Sequence, residues 1–163
     1  MGRHIGLTMQ RVGNKNAWVT SYPPYAYGHG CDTSMPALEN DISGSWYDPL
    51  HDGEGFIIEQ IEADKALVFW FTYDESGNQS WMFNTGSIDN GKIIINELLQ
   101  PKGGQFGRSF DPASVTRHAW GELTLDLSCA GGSASYITQS EGYSNGSQLL
   151  QPLTRLAGSE CID

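Results

Sequence analysis

From Ser43 onward the chain alternates short apolar runs with small polar separators. The runs are GSWY, GFIIEQIEA, ALVFWFTY, QSWMFNTGSI, KIIINELL, AWGELTLDLS, ASYIT and QLLQPLTRL. The separators are DGEG, DESGN, DNGK, PKGG, CAGG and SNGS, most of which set Gly beside Asp, Asn or Pro. Those residues accept the positive φ angles or local hydrogen bonds that tight hairpins demand. Runs recurring at roughly ten- to fifteen-residue spacing predict an all-β fold, an antiparallel meander of about eight strands closed into a barrel or folded into a sandwich.

Within the runs the period is two. In WGELTLDL, Leu123, Leu125 and Leu127 share one face, while Trp120, Glu122, Thr124 and Asp126 share the other. ALVFWFTY is apolar on both faces, with Leu67, Phe69, Phe71 and Tyr73 on one and Val68 and Trp70 on the other. Such a strand needs cover on both sides. Residues 1–42 lack this rhythm. They contain VTSYPPYAYGHG and read as an arm or irregular lead-in with one short strand around Ala17–Thr20. Residues 43–163 then form a single β domain. The arm, lying on its own barrel or on a neighbour, and the Ala66–Tyr73 strand together predict a homo-oligomer.

Composition narrows the function. Charged residues are 17% of the chain, aromatics 11%, and Gly 20 of 163. The formal charge is −10, with the basic residues scattered. That argues against nucleic acid and anionic membranes, which bind Lys and Arg clusters. No apolar run approaches the roughly eighteen residues of a membrane helix. MGRHIGLTMQ is too polar for the apolar core of a secretory signal, so none is visible.

Candidate chemistry is sparse. In SGSWYDPLHDGEGF, Asp48, Asp52 and Glu54 could gather calcium, Asp52 and Glu54 could act as an acid/base pair in a hydrolase, and His51 could shuttle a proton. The competing reading is a turn at Pro49 and Gly53 with the acids in solvent, and we adopt it because no metal-ligand register is met. In DESGN the glutamate that would close a calcium loop is missing, since Gly86 stands there; a hairpin turn with Gly77 at positive φ is expected. His4, His29, His51 and His118 are isolated and no C-x-x-C occurs, so neither a metal nor a cofactor is assigned. No nucleophile elbow or phosphate loop is present, and no catalytic residue is assigned.

The aromatic residues carry more information. Trp46, Tyr47, Trp70, Trp81 and Trp120 each fall on a predicted strand. Trp120 lies on a polar face, and Trp81 shares a face with Phe83 beside Asn84. A wall of indoles mixed with polar groups suits a small ligand or a sugar ring, or else a subunit interface. The expectation is a non-catalytic module in which Trp46, Trp81 and Trp120 stack on the ligand while Asp48 and Asp52 accept its protons. The three cysteines, Cys31, Cys129 and Cys161, allow at most one bridge among three choices, or three free thiols.

Two resemblances add to this. The order GSWYDP, GEGF, FWFTYDESGNQSW, AWGELTLDLSC and LTRLAGSEC resembles a β-rich domain of exported bacterial proteins, found alone or appended to secreted enzymes and without an established activity. The resemblance spans most of Ser43 to Cys161. It implies a secreted, periplasmic or cell-surface location and a bridge between Cys129 and Cys161. More locally, GSWYDPL is similar to the first strand of avidin-like biotin-binding barrels, which are eight-stranded meanders of calycin-like form. In that family, polar residues after the Trp-Tyr pair donate to the ureido oxygen of biotin. Here Asp48 and Asp52 stand near those places and offer no donors when ionised, and SASYITQ lacks a Trp. These departures count against biotin and leave the barrel.

Overall fold

The computed structural model describes residues 41–156 throughout, together with the strands at residues 7–12 and 15–20. The chain divides into two units, residues 1–36 and 37–163. In the first, β1 (Leu7–Val12) and β2 (Lys15–Thr20) pair as an antiparallel hairpin, Leu7 opposite Thr20 and Val12 opposite Lys15. The single short strand expected there is thus the second half of a hairpin. Its two arms flank Gly13-Asn14, a two-residue turn signal. The rest of the lead-in, with YPPYAYGHG, His4, His29 and Cys31, lies outside the described residues, as does Cys161.

The second unit is an all-β closed barrel. Its strands are β3 (Gly44–Tyr47), β4 (Gly55–Glu62), β5 (Lys65–Tyr73), β6 (Gln79–Asp89), β7 (Lys92–Lys102), β8 (Thr116–Ser128), β9 (Gly131–Thr138) and β10 (Gly146–Pro152). Each pairs antiparallel with the next, and β10 closes the ring on β3 through Gln151 opposite Tyr47 and Pro152 opposite Trp46. The eight apolar runs are these eight strands, and the barrel is chosen over the sandwich because closure leaves no open edge. Two short 3-10 turns, Gly107–Ser109 and Pro112–Ser114, interrupt the β7–β8 connection.

Alternation fills the interior. Phe56 and Ile58, Ala66, Val68 and Trp70, Ile93 and Ile95, Leu123 and Leu125, Ala134 and Leu150 are all buried. Each large side chain fully buried in this way contributes about 1.5–3 kcal/mol. Besides a bulge at Gln60–Glu62 near the end of β4, two bulges re-aim inner side chains. In β7 the register shifts between Ile95 and Leu98, after which Leu98 and Gln100 point inward. Asn84 Nδ2 donates to the Glu97 carbonyl at this bulge, at 2.7 Å.

The second bulge corrects an expectation. In β8, Leu98 faces Gly121 but Leu99 faces Ala119, so Trp120 is the extra residue. Period two would put Trp120 on the polar face with Glu122. The bulge turns it inward instead, where it is 2% exposed. Its carbonyl accepts from the hydroxyls of Thr138 and Ser140.

The meander gives the barrel two unlike ends. The β4–β5, β6–β7 and β8–β9 connections are two-residue turns. The opposite end, here called the mouth, carries longer connections at residues 48–54, 74–78, 103–115 and 139–145.

Candidate functional site

The mouth holds a cavity of about 330 Å³. Its floor is aromatic. Trp70 enters from β5 and packs edge-on against Trp120 from β8, with ring centroids 5.3 Å apart and planes at 82°. Tyr136 from β9 lies 4.8 Å from Trp70 and 6.1 Å from Trp120. Tyr143, from the β9–β10 loop, meets Trp120 edge-on at 5.4 Å. Phe56 backs the Trp70 ring from within the core, stacked at 5.2 Å.

Polar groups surround this floor. The Glu54 carboxylate, just before β4, accepts from the Thr72 hydroxyl and from Gln148 Nε2, the latter at 2.7 Å. A second cluster links Gln100, Ser80 and Tyr143: Gln100 Nε2 donates to Ser80 Oγ at 2.7 Å and to Tyr143 Oη at 2.6 Å, and Tyr143 Oη donates to Ser80 Oγ at 2.8 Å. These bonds fix Tyr143 although it sits on a loop. Burial, and second the negative charge of Glu54, push the Tyr136 phenol above its ordinary pKa.

Two donors in the floor have no partner. The indole nitrogens of Trp70 and Trp120 are buried and hydrogen-bonded to nothing, although both residues line the cavity. A buried donor left unpaired costs about 1–3 kcal/mol. The contrast with Trp46 is direct: its indole N–H donates to the Ile42 carbonyl at 2.9 Å.

The residues singled out from sequence are therefore dispersed. Trp46 is a core residue, 2% exposed. Trp81 is on the outer wall, 41% exposed, in a row of stacked rings with Phe83, Phe69 and Phe71. Of the three indoles expected to converge, Trp120 alone lines the mouth. Asp48 is buried below the rim, where its carboxylate accepts from the Leu50 N–H at 2.9 Å and from His51 Nδ1 at 2.7 Å. Asp52 is exposed in the turn. The picture of turn acids in solvent thus fits Asp52 but not Asp48, which caps the turn, nor Glu54, which faces the mouth. In DESGN, Asp74 accepts from the N–H groups of Ser76 and Asn78, and Gly77 has φ +80°, as expected for a hairpin turn. No cluster of metal-ligating side chains occurs among the described residues.

Sequence reasoning missed Trp70, Thr72, Tyr136, Tyr143 and Gln148. Trp70 and Thr72 were legible from the inner register of ALVFWFTY, and Tyr136 from its spacing to Ala134. Tyr143 has no periodic signal. Among the described residues no helix is long and apolar enough to cross a membrane.

A larger groove, about 430 Å³, runs outside the barrel between Trp81, Phe83, Pro101 and Phe110. Lys102 and Arg117 also line it, but it lacks the hydrogen-bonded carboxylate and amide groups of the mouth, so the mouth is the better chemical site. No family model, curated protein or solved structure matches the chain.

Proposed function

We propose that this protein is a non-catalytic binding barrel whose mouth takes a small ligand. One observation carries the reading: two buried indole N–H groups, on Trp70 and Trp120, stand unpaired in the floor of a cavity. A fold that used these residues for packing alone would gain from Phe at either place. A ligand whose acceptor oxygen meets either N–H, once that ring turns toward the cavity, recovers the cost. Its apolar face would rest on the same rings, in a cavity within the usual ligand range of about 300–1,000 Å³. A sugar ring or another compact polyol-like molecule has both features.

Intrinsic tryptophan fluorescence, titrated with a panel of glycans, vitamins and small amines, tests this. Binding should change the emission, and Trp120→Phe should weaken it while the fold is retained. No response to any compound would remove the proposal.

A second reading has its own observation. The outer rings Phe71 and Trp81 are 44% and 41% exposed, and Phe69 and Phe83 extend the same row. An uncovered aromatic row of this kind fits self-association through the β5–β6 face. Sedimentation of Trp81→Ser against the parent chain separates the two readings: a monomer in both removes assembly through this face and leaves the mouth untouched.

We also propose export, with a Cys129–Cys161 bridge. Arg155 donates to the Cys129 carbonyl, which brings the segment leading toward Cys161 against the β8–β9 turn. Trypsin cuts after Arg117 and Arg155, so the bridge should join peptide 118–155 to peptide 156–163 until reductant is added. A link to the peptide holding Cys31 would overturn it.

A further inference from the structure

The charge of the mouth narrows the class of ligand, provided that the mouth is a binding site as argued above. Its ionisable lining is His51, Glu54, Asp74 and Glu75, with the phenols of Tyr73, Tyr136 and Tyr143; among the described residues no Lys or Arg lines it. Asp74 is committed to its own turn, and Glu75 accepts from Ser144 at 2.6 Å. Lys102 acts on Asp74 from outside the cavity. His51 is hydrogen-bonded to the Asp48 carboxylate, and the Glu54 charge acts on it from further off.

That leaves Glu54. Its two hydrogen-bond partners, Thr72 and Gln148, are neutral. They fix the carboxylate without balancing its charge. The rings of Trp70, Trp120 and Tyr136 line the same cavity as Glu54, and aromatic ring faces carry the negative side of the quadrupole. An anionic ligand would be repelled by both features. A neutral ligand would cover the carboxylate and strip its water without supplying a counter-charge.

We infer that the mouth selects a small organic cation, an amine or a quaternary ammonium, held against the Trp70, Trp120 and Tyr136 rings with Glu54 as its counter-ion. Cation–π attraction and the carboxylate then act on the same atom.

The test compares choline and ethanolamine with 3,3-dimethylbutan-1-ol, the neutral isostere of choline, and with methyl β-glucoside, by calorimetry on the full chain. At least one cation should bind about tenfold or more tighter than the isostere, and Glu54→Gln should erase that preference. The substitution keeps the shape: the Gln oxygen accepts from Gln148, and the Thr72 hydroxyl can rotate to accept the new amide. Equal affinity for choline and its isostere, or cation binding unchanged by Glu54→Gln, overturns the inference. If the glucoside binds and neither cation does, the mouth is a site but the inference fails. If nothing binds, both readings fail. Should Glu54→Gln not fold, ionic strength serves instead: added salt should weaken the cations and leave the isostere unchanged, and equal behaviour refutes the idea.

Discussion

Replacing Gly121 by Ala tests the bulge that delivers Trp120 to the mouth. Gly121 has φ +158°, and a Cβ built there would lie 2.2 Å from the Ile137 carbonyl oxygen and 2.9 Å from Thr138 Cα. Both are backbone atoms of the paired strand β9, so no side chain can swing aside. Either β8 and β9 separate locally or the bulge migrates, and in both cases the inward turn of Trp120 is lost. The conformational strain and the overlap together should cost about 2–5 kcal/mol. For a domain of this size that lowers the thermal midpoint by roughly 6–25 °C.

Gly91→Ala supplies the control. Gly91 also has positive φ, +78°, but nothing lies within 4 Å of its would-be Cβ. It follows Asn90, at φ +48°, in the two-residue β6–β7 turn. Its substitution exacts backbone strain alone, about 1 kcal/mol. Urea denaturation followed by circular dichroism gives both values, and near-ultraviolet dichroism reports the Trp120 environment. If Gly121→Ala costs no more than Gly91→Ala and leaves the aromatic spectrum unchanged, the bulge does not require glycine and the account of how Trp120 is aimed is wrong.

Three further outcomes are expected. Trp120→Phe removes the unpaired N–H while keeping most of the ring, so it should change unfolding free energy by less than about 1 kcal/mol yet weaken ligand binding; a large loss of stability would mean the indole is a packing residue. Glu54→Ala strips Thr72 and Gln148 of their shared acceptor and should cost about 1–2 kcal/mol in urea unfolding. The Asp48–His51 pair should make stability depend on pH. The His51 pKa is raised above 6.5, foremost by its hydrogen bond to Asp48, so its contribution is complete below that value and fades as pH rises through the raised one. The Asp48 pKa is lowered below 3.8, foremost by the Leu50 N–H and then by His51, so its contribution holds above 3.8 and fades as pH falls through the lowered value. The pair therefore acts most strongly between those limits, and the parent chain should lose more stability than His51→Ala as pH rises through neutrality. Nuclear magnetic resonance titration of His51 reads the shift directly.

The strands were legible because a barrel wall imposes period two and a turn imposes Gly with Asp or Asn, and both rules act locally. Val68 and Trp70 against Phe69 and Phe71 could be sorted into faces from sequence, with the choice of inner face left to the structure. Trp120 could not, because one inserted residue reverses the face of everything beyond it, and the insertion is visible in pairing rather than in pattern. Glu54 was legible as an acid in a Gly-rich turn, but its meeting with Thr72 and Gln148 depends on contacts across 18 and 94 residues of sequence. Trp46 and Trp81 were misleading for the same reason. A strand indole looks alike in the core, on the outer wall and in a cavity until closure of the ring decides which way it points.

The two ends of the barrel argue against a purely structural role for its contents. Toward the tight turns the interior is filled mainly by Ile58, Val68, Ile93, Ile95, Leu125, Ala134 and Leu150, with the buried, unpaired Oε1 of Gln60 among them. Toward the mouth it holds Trp70, Trp120, Tyr136, Thr72, Gln100 and Gln148, and the long connections gather there. Stability alone favours the first filling at both ends, since every buried polar atom must find a partner or weaken the fold. Thr72, Gln100 and Gln148 have theirs. The indole nitrogens of Trp70 and Trp120 do not, and the rings that carry them line the cavity. The gathering of indole rings, Glu54 and long connections at this one end is the contrast on which the proposed ligand site rests.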